Sequence, residues 1–209
     1  MSVKDSEKQN RAPQYGLRDL KEQEKDTRRK LILEAACGLF ARKDFRSVTV
    51  REIARAASIG IGTIYNYYPN LIELFLDIFL GYAEEITRIL TGEEPHPPPD
   101  LKRLCSLYIT YLNDNMTFYQ MMGHFMLSGD MSSQAARKLD TVMRPLMDRF
   151  TDAVEAVATH SSPRLTAHAL FSALNGIMIS YARYPGRSQS EIRRHTLRLA
   201  DLVGEVFEN

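Results

Sequence analysis

The sequence predicts an all-α protein with two domains, a three-helix helix-turn-helix domain followed by a larger helical domain. Apolar residues recur at helical spacing from residue 26 onward, and no segment alternates apolar and polar residues as a half-buried strand does. Within residues 49–70, TVREIARAASIGIGTIYNYYPN, two short amphipathic segments flank a connection that contains glycine. The chain has 209 residues, of which 44% are hydrophobic and 25% charged, so it is large enough to bury a substantial core.

The first 25 residues are rich in Lys, Glu, Gln, Asp and Asn and lack apolar periodicity, so we expect residues 1–25 to form a flexible arm. A minor-groove contact by its basic residues is an alternative. Asp26 or Thr27 can cap the first helix. An apolar stripe marks the buried side of that helix, at Ile32, Ala35, Ala36, Leu39 and Phe40.

Three further signals place the helices of the first domain, residues 26–70. Thr49 and Glu52 form a T-x-x-E capping box that starts a second, short helix. Gly60 and Gly62 are expected to break that helix and allow a sharp turn. A third helix over residues 61–67 ends before Pro69, and a long fourth helix begins the second domain, residues 71–209.

The charge is unevenly distributed although the whole chain has a net charge of only +1. Residues 26–70 contain eight Lys and Arg against four Asp and Glu, whereas residues 71–100 contain one against seven. A basic excess around a helix-turn-helix is what neutralisation of DNA phosphates requires. Solvated surface charge is the alternative interpretation.

Residues 27–80 resemble the N-terminal DNA-binding domain of the TetR/AcrR family of bacterial transcriptional regulators. The similarity rests on a basic first helix ending in LFARKDF, on TVREIARAA, on GTIYNYY and on the L-F that follows. It implies a sequence-specific DNA-binding transcriptional regulator, expected to be a repressor that a hydrophobic small-molecule effector releases from its operator. The alternative is a DNA-bound structural or cell-division factor whose C-terminal domain binds a protein.

The resemblance also implies roles for individual residues. A hydroxyl or a backbone amide can hold a phosphate, Asn can bond to adenine, and a Thr or Ile methyl can pack on a thymine methyl. For Tyr65 and Tyr67 an aromatic core is the alternative, and Tyr68 is expected to be buried. The predicted phosphate contacts are Arg46, Thr49, Arg51, Tyr65 and Tyr67, and the predicted base-edge contacts are Ile61, Gly62, Thr63 and Asn66.

The segment departs from the family pattern at two positions. Gly60-Ile61 stands where the family commonly has Ser-Lys, and Leu71 stands where it commonly has Lys. Residues 58–70 therefore contain no charged side chain. We expect a shallower salt dependence of DNA binding than is common in the family, because fewer phosphates are neutralised.

Four prolines among residues 95–99 predict a loop, and five helical patterns follow it. Ser162-Pro163 is a cap followed by an N1 proline, and Ser188 with Glu191 is a second capping box. The predicted helices cover residues 100–113, 116–127, 132–159, 163–184 and 188–207.

Methionine is concentrated in the middle of the second domain, with seven residues between 116 and 147. Methionine adapts to irregular apolar shapes, so a lining rich in Met, Tyr and Phe suits a pocket for a hydrophobic effector, which the resemblance also implies. The alternative is that these methionines only fill a helical core. His124 is a further polar residue that could line such a pocket. The predicted effector-binding residues are Tyr82, Tyr108, Tyr111, Tyr119, Met122, Phe125, Met126, Met143, Met147, Phe171, Asn175 and Met178.

The last two helices contain more apolar surface than one core contact needs, which predicts a homodimer through residues 163–207. Members of the family dimerise through their final two helices, and a two-fold dimer matches a double-stranded inverted-repeat operator.

The remaining expectations are absences. No nucleophile-base pair, carboxylate pair or phosphate-binding loop is evident, so no enzyme activity and no cofactor are predicted. The spacing of the histidines matches no metal-binding motif, so no metal site is predicted. Cys37 and Cys105 are expected to be buried free thiols. No signal peptide or membrane span is predicted, so we expect a soluble cytoplasmic protein.

Overall fold

A computed structural model describes residues 16–92, 99–127, 131–157 and 162–208. Within these ranges the chain forms nine α-helices, one short 3-10 helix and no strand, which confirms the predicted all-α class. It divides into two compact units, residues 1–69 and 70–209, so the boundary falls one residue before the predicted one. None of the described helices is long and apolar enough to cross a membrane.

The first helix begins earlier than predicted. Helix α1 spans Leu17–Phe40, so the expected start at Asp26 is wrong and the arm predicted for residues 1–25 is helical from residue 17. Residues 1–15 lie outside the described residues. The first half of α1 has no apolar stripe. It is stabilised locally, because Asp19 accepts a hydrogen bond from the Gly16 amide at 3.0 Å and Glu24 pairs with Arg28 at 2.5 Å.

Two short helices follow α1 in the described part of the first unit, α2 over Val50–Ala56 and α3 over Ile61–Tyr67. A 3-10 turn over Phe45–Ser47 leads into α2, and the Phe45 ring packs edge-on against Phe40 with centroids 6.2 Å apart. The buried side chains of the unit come from all of these elements and include Ile32, Ala36, Phe40, Phe45, Val48, Ile53, Ala54, Ile64 and Tyr68.

The turn between α2 and α3 does not depend on glycine as predicted. Ser58 adopts a positive φ of 56°, whereas Gly60 has an ordinary φ of −72°. The Ser58 amide donates to Arg55 O at 3.2 Å and the Ile59 amide to Ala54 O at 3.0 Å. These two bonds form a Schellman motif, which ends α2 and satisfies its last carbonyls with a serine in the left-handed position.

The described part of the second unit contains six helices that follow the predicted pattern closely. Helix α8 ends at Tyr181 and not at residue 184, because the chain turns before α9 begins. Residues 158 and 159 of the predicted 132–159 helix, and 95–98 of the predicted proline loop, lie outside the described residues. The helices are α4 Leu71–Thr91, α5 Leu101–Asp114, α6 Met116–Leu127, α7 Ser133–Val157, α8 Pro163–Tyr181 and α9 Gln189–Glu208.

Helices α5 and α9 are joined by a ladder of polar contacts along their length. Lys102 pairs with Glu205 at 3.3 Å, and Ser106 donates to Asp201 at 2.6 Å. At the other end, the fully buried Thr196 hydroxyl accepts from the Asn113 amide at 3.0 Å. The ladder fixes the register of the two helices, since each contact joins one position of α5 to one position of α9.

Candidate functional site

The predicted capping box of α2 is confirmed, and it occupies the donors of Thr49. The Thr49 amide and hydroxyl both donate to Glu52 Oε2, at 2.9 and 2.8 Å, and Lys43 Nζ donates to Glu52 Oε1 at 2.7 Å. The bonds from Lys43 and Thr49 lower the pKa of Glu52 to about 2. A phosphate bound by Thr49 has to replace this carboxylate, so the phosphate role of Thr49 stays a prediction.

Helix α3 has a buried side and an outward side. Ile64 is 1% exposed, and Tyr68 is buried just after the helix as expected, with its hydroxyl accepting from Arg29 Nε at 3.4 Å. On the other side, Ile61 is 39% and Tyr65 is 52% exposed. Gly62 and Asn66 are exposed as well, while Thr63 and Tyr67 are half-buried. The structure therefore brings Ile61, Gly62, Tyr65 and Asn66 together on one outward surface, named here the reading face.

The glycines of this segment are not required by the fold of the chain. A Cβ built on Gly62 meets no atom within 4 Å, and one built on Gly60 meets only Thr63 Oγ1 at 3.8 Å, an ordinary contact. Gly60 has no positive φ, and Gly62 lies within α3. Their missing side chains leave the backbone of the first turn of α3 open to close approach by another surface.

The two arginines predicted to contact phosphate, Arg46 and Arg51, have different surroundings. The Arg46 guanidinium is held by Asp44, with Nη2 2.6 Å from Oδ2 and Nε 3.0 Å from Oδ1. Arg51 is exposed on α2. Arg46 therefore has part of its hydrogen-bonding capacity engaged within the chain, and its contact with phosphate, like that of Arg51, stays a prediction.

Five of the predicted effector-binding residues meet around Tyr108. Its buried hydroxyl accepts from Asn175 Nδ2 at 3.2 Å and lies 3.9 Å from Met122 Sδ, and the Tyr119 hydroxyl donates to Asn175 O at 3.1 Å. The centroid of the Tyr108 ring lies 5.6 Å from that of the Phe171 ring and 5.3 Å from that of the Phe150 ring. Burial raises the pKa of Tyr108 well above its usual value, which keeps the phenol protonated.

Three more predicted residues form a second cluster, between α4, α5 and α6. The Tyr111 hydroxyl lies 2.9 Å from both Tyr82 O and Glu85 Oε2. The Tyr82 and Tyr111 rings each lie 5.7 Å from the Phe118 ring, and Phe125 reaches the same cluster through Phe79. The hydroxyls of Tyr108, Tyr111 and Tyr119 therefore all have hydrogen-bond partners within the chain, as they would in a core.

The remaining predicted residues are distributed unevenly. Met178 is fully buried, Met143 and Met147 are half-buried on α7, and Met126 is 53% exposed. Met126 lies in the last turn of α6, next to Leu127, which is 86% exposed, and it is not part of either buried cluster, so its effector-binding role stays a prediction. Sequence reasoning missed Phe150, although it follows Met147 by three residues on the same helix face.

Comparison with known proteins places the helix-turn-helix region in a family. Residues 32–78 match the sequence profile of the family described as bacterial regulatory proteins, tetR family. Over 59 residues the chain is 41% identical to the uncharacterized HTH-type transcriptional regulator YhgD of Bacillus subtilis, covering 28% of this chain and 31% of that protein. Over 142 residues it is 29% identical to the HTH-type transcriptional repressor KstR of Rhodococcus jostii, covering 66% of this chain and 65% of the repressor. The chain thus spans between about a third and two thirds of the length of these relatives.

Solved structures share the fold of almost the whole chain. A transcriptional regulator from Rhodococcus sp. Rha1 superposes with a TM-score of 0.69 at 14% identity, over 86% of this chain and 95% of that one. The TetR family repressor FadR of Thermus thermophilus, in complex with lauroyl-CoA, superposes with a TM-score of 0.53 at 27% identity, over 82% of this chain and 92% of that one.

Proposed function

Because this chain belongs to the TetR family of bacterial regulatory proteins, we propose that it is a sequence-specific DNA-binding transcriptional regulator that reads DNA through α3. The reading face carries the proposal. It combines an exposed apolar side chain, a tyrosine hydroxyl, an Asn amide and a backbone turn without Cβ atoms, and these groups suit base edges and phosphates in a major groove.

We further propose a repressor that a hydrophobic small molecule releases from DNA. The proposal is supported by the relatives named as repressors and by the FadR structure that contains lauroyl-CoA. The clusters around Tyr108 and Tyr111 are the proposed effector site. The effector must bind a conformation in which the two α3 helices of a homodimer no longer fit adjacent grooves, since equal affinity for both conformations shifts nothing.

The experiment begins with selection of genomic fragments by the purified protein, followed by affinity measurements on the selected operator. Gly62→Ala is expected to weaken operator binding by about tenfold or more, because a Cβ is placed where backbone and DNA approach each other. Gly81→Ala, an exposed site within α4 that also has no atom within 4 Å of the added Cβ, is the matched control. Both changes should leave the fold intact, so equal operator affinity of the two variants would contradict the proposed reading face.

Two further measurements on the same operator complete the test. The logarithm of affinity should fall with the logarithm of salt concentration at a shallow slope, because residues 58–70 supply no cation. Hydrophobic acyl compounds should release the protein from the operator. DNA binding that no such compound disturbs would favour the structural or cell-division factor, whose second unit recognises a protein.

A further inference from the structure

A groove of about 400 Å³ lies where α8 ends and α9 begins, outside both proposed effector clusters. Gly186 adopts a φ of +75° in the turn between the two helices, a conformation that glycine takes without strain. The volume falls within the range of small-molecule sites, roughly 300–1,000 Å³. The groove is lined by Tyr181, Tyr184, Arg187, Glu191, Ile192 and His195.

The wall of the groove is aromatic. The rings of Tyr181 and Tyr184 stack with centroids 5.9 Å apart and an interplanar angle of 27°. His195 meets Tyr181 edge-on at 4.7 Å, and the Ile192 side chain, 4% exposed, forms an apolar floor. Because Tyr184 is 49% exposed, one side of this stack is accessible to another planar ring. Aromatic rings favour stacking on one another in an offset arrangement.

The surrounding segment is strongly basic. Residues 181–200 contain five arginines against a single acid, Glu191, in a chain whose net charge is only +1. Arg194 and Arg198 are exposed one helical turn apart on α9. Arg193 is paired with Asp114, so the excess comes from the other four arginines, of which Arg187 lines the cavity. Positive charge close to a cavity favours an anionic ligand.

Arg187 is the cation that reaches the groove itself. Its Nη1 lies 3.5 Å from Glu191 Oε1, and the two side chains are 61% and 47% exposed, so the pair is long and solvated and contributes little. Glu191 is held separately, since its Oε2 accepts from the Ser188 amide and hydroxyl at 2.8 Å each. The guanidinium has five N–H donors and this contact engages one nitrogen, so Arg187 can also bind an anion.

We propose that this groove binds a planar aromatic anion. The ring of the ligand stacks on Tyr184 and Tyr181, and its carboxylate or phosphate bonds to Arg187 with His195 beside it. The same chemistry is offered by nucleotides and by aromatic carboxylates, and the two sources are separated by experiment. This ligand site is distinct from the effector clusters, with which it shares no residue.

Isothermal titration calorimetry of the full chain without DNA tests the site with adenosine 5′-monophosphate and with 2-naphthoate. One of the two should bind at least about tenfold more tightly than its neutral counterpart, adenosine or 2-naphthamide, because a charge-assisted hydrogen bond is lost in the neutral compound. Inorganic phosphate alone should bind at least about tenfold more weakly than the nucleotide, because it lacks the ring.

Variants locate the binding. Arg187→Gln should weaken binding of the preferred anion by about tenfold and Tyr184→Leu by about three- to tenfold. Arg183→Gln, an exposed arginine of the same turn that does not line the groove, is the matched control and should bind as the native chain does. Shifts of the His195 ring resonances on titration of the native protein provide a measurement that needs no variant.

Three outcomes overturn the proposal. They are the absence of saturable binding by either anion, equal affinity for the charged and neutral compounds, and affinity that neither variant changes. If no probe binds but Arg187→Gln alters the sedimenting mass, the groove is a contact between copies of the chain. Operator binding is measured separately, so loss of the regulator proposal leaves these results unaffected.

Discussion

At the level of single residues, Gly204 is a position where the second unit tolerates little additional volume. A Cβ at this position lies 3.1 Å from Lys102 Cγ and 3.2 Å from Lys102 Cα, closer than ordinary contacts allow. Gly204→Ala should therefore separate α9 from α5, because the backbone of α5 cannot rotate away as a side-chain end can. Overpacking should lower the free energy of unfolding by about 1–3 kcal/mol. The higher helix propensity of alanine should offset up to about 1 kcal/mol of this loss.

Urea unfolding of the native and variant chains at the same protein concentration measures this effect, because the apparent stability of an oligomer depends on that concentration. Gly81→Ala is again the control, because its Cβ meets nothing within 4 Å and only the propensity gain is expected. If both variants are stabilised equally, α5 and α9 are not in the close contact that the structure shows.

At the level of elements, the start of α2 depends on an ionised carboxylate. Hydrogen bonds from Lys43 and Thr49 lower the pKa of Glu52 from its ordinary 4.5 to about 2. Since the folded-state pKa is the lower one, the stabilisation is fully present above about pH 4.5 and is lost as the pH falls towards 2. Acid should therefore weaken this helix start.

Glu52→Gln should lower stability at neutral pH and flatten the dependence of stability on pH between these two values, because the glutamine cannot titrate. Denaturant unfolding of native and variant chains at a series of pH values measures the difference. Glu84→Gln, a change at an exposed position of α4, is the control. A native-minus-variant difference that stays constant across this pH range would contradict a stabilising role for the Glu52 charge.

Helix positions followed from the sequence wherever a local signal marks them. The capping boxes at Thr49 and Ser188 and the N1 proline at Pro163 placed three helix starts correctly, because the stabilising bonds lie within four residues. The start of α1 was missed because its first half depends on propensity and ion pairs and has no apolar stripe. The left-handed Ser58 was missed because glycine usually takes that position.

The sequence predicted less completely which side chains face outward and which bind a ligand. The outward positions of Ile61 and Tyr65 agree with the DNA contacts that the resemblance implies. The capping box implied the bonds from Thr49 to Glu52, but the ion pair between Lys43 and Glu52 was not predicted, because the two residues are nine positions apart. Among the effector candidates, spacing alone could not distinguish a ligand lining from a core. The hydrogen bonds among Tyr108, Tyr119 and Asn175 are compatible with either role. The proposed effector site is therefore tested by whether an effector releases the protein from its operator.

At the scale of the whole molecule, the predicted dimer segment separates into two sets of apolar residues. Leu174, Met178 and Ile192 are buried within their own chain and form its core. Four others are largely exposed, at 70% for Leu165, 77% for Ile179, 54% for Leu202 and 66% for Val206. The spacing of Leu202 and Val206 places them on one side of α9. These exposed residues are the proposed contact between two copies.

If the proposed homodimer forms through these residues, Ile179→Glu combined with Val206→Glu should convert it to a monomer, because both copies would then bury unpaired carboxylates at the contact. Analytical ultracentrifugation measures the mass, and Leu127→Glu, a change at an apolar residue of α6 that is 86% exposed, is the control that should stay dimeric. The monomer should keep its helical content but lose most of its affinity for an inverted repeat, since the α3 helices of two copies are no longer linked. A double variant that remains dimeric would place the contact outside α8 and α9, and a monomer with full operator affinity would show that each copy reads its half-site alone.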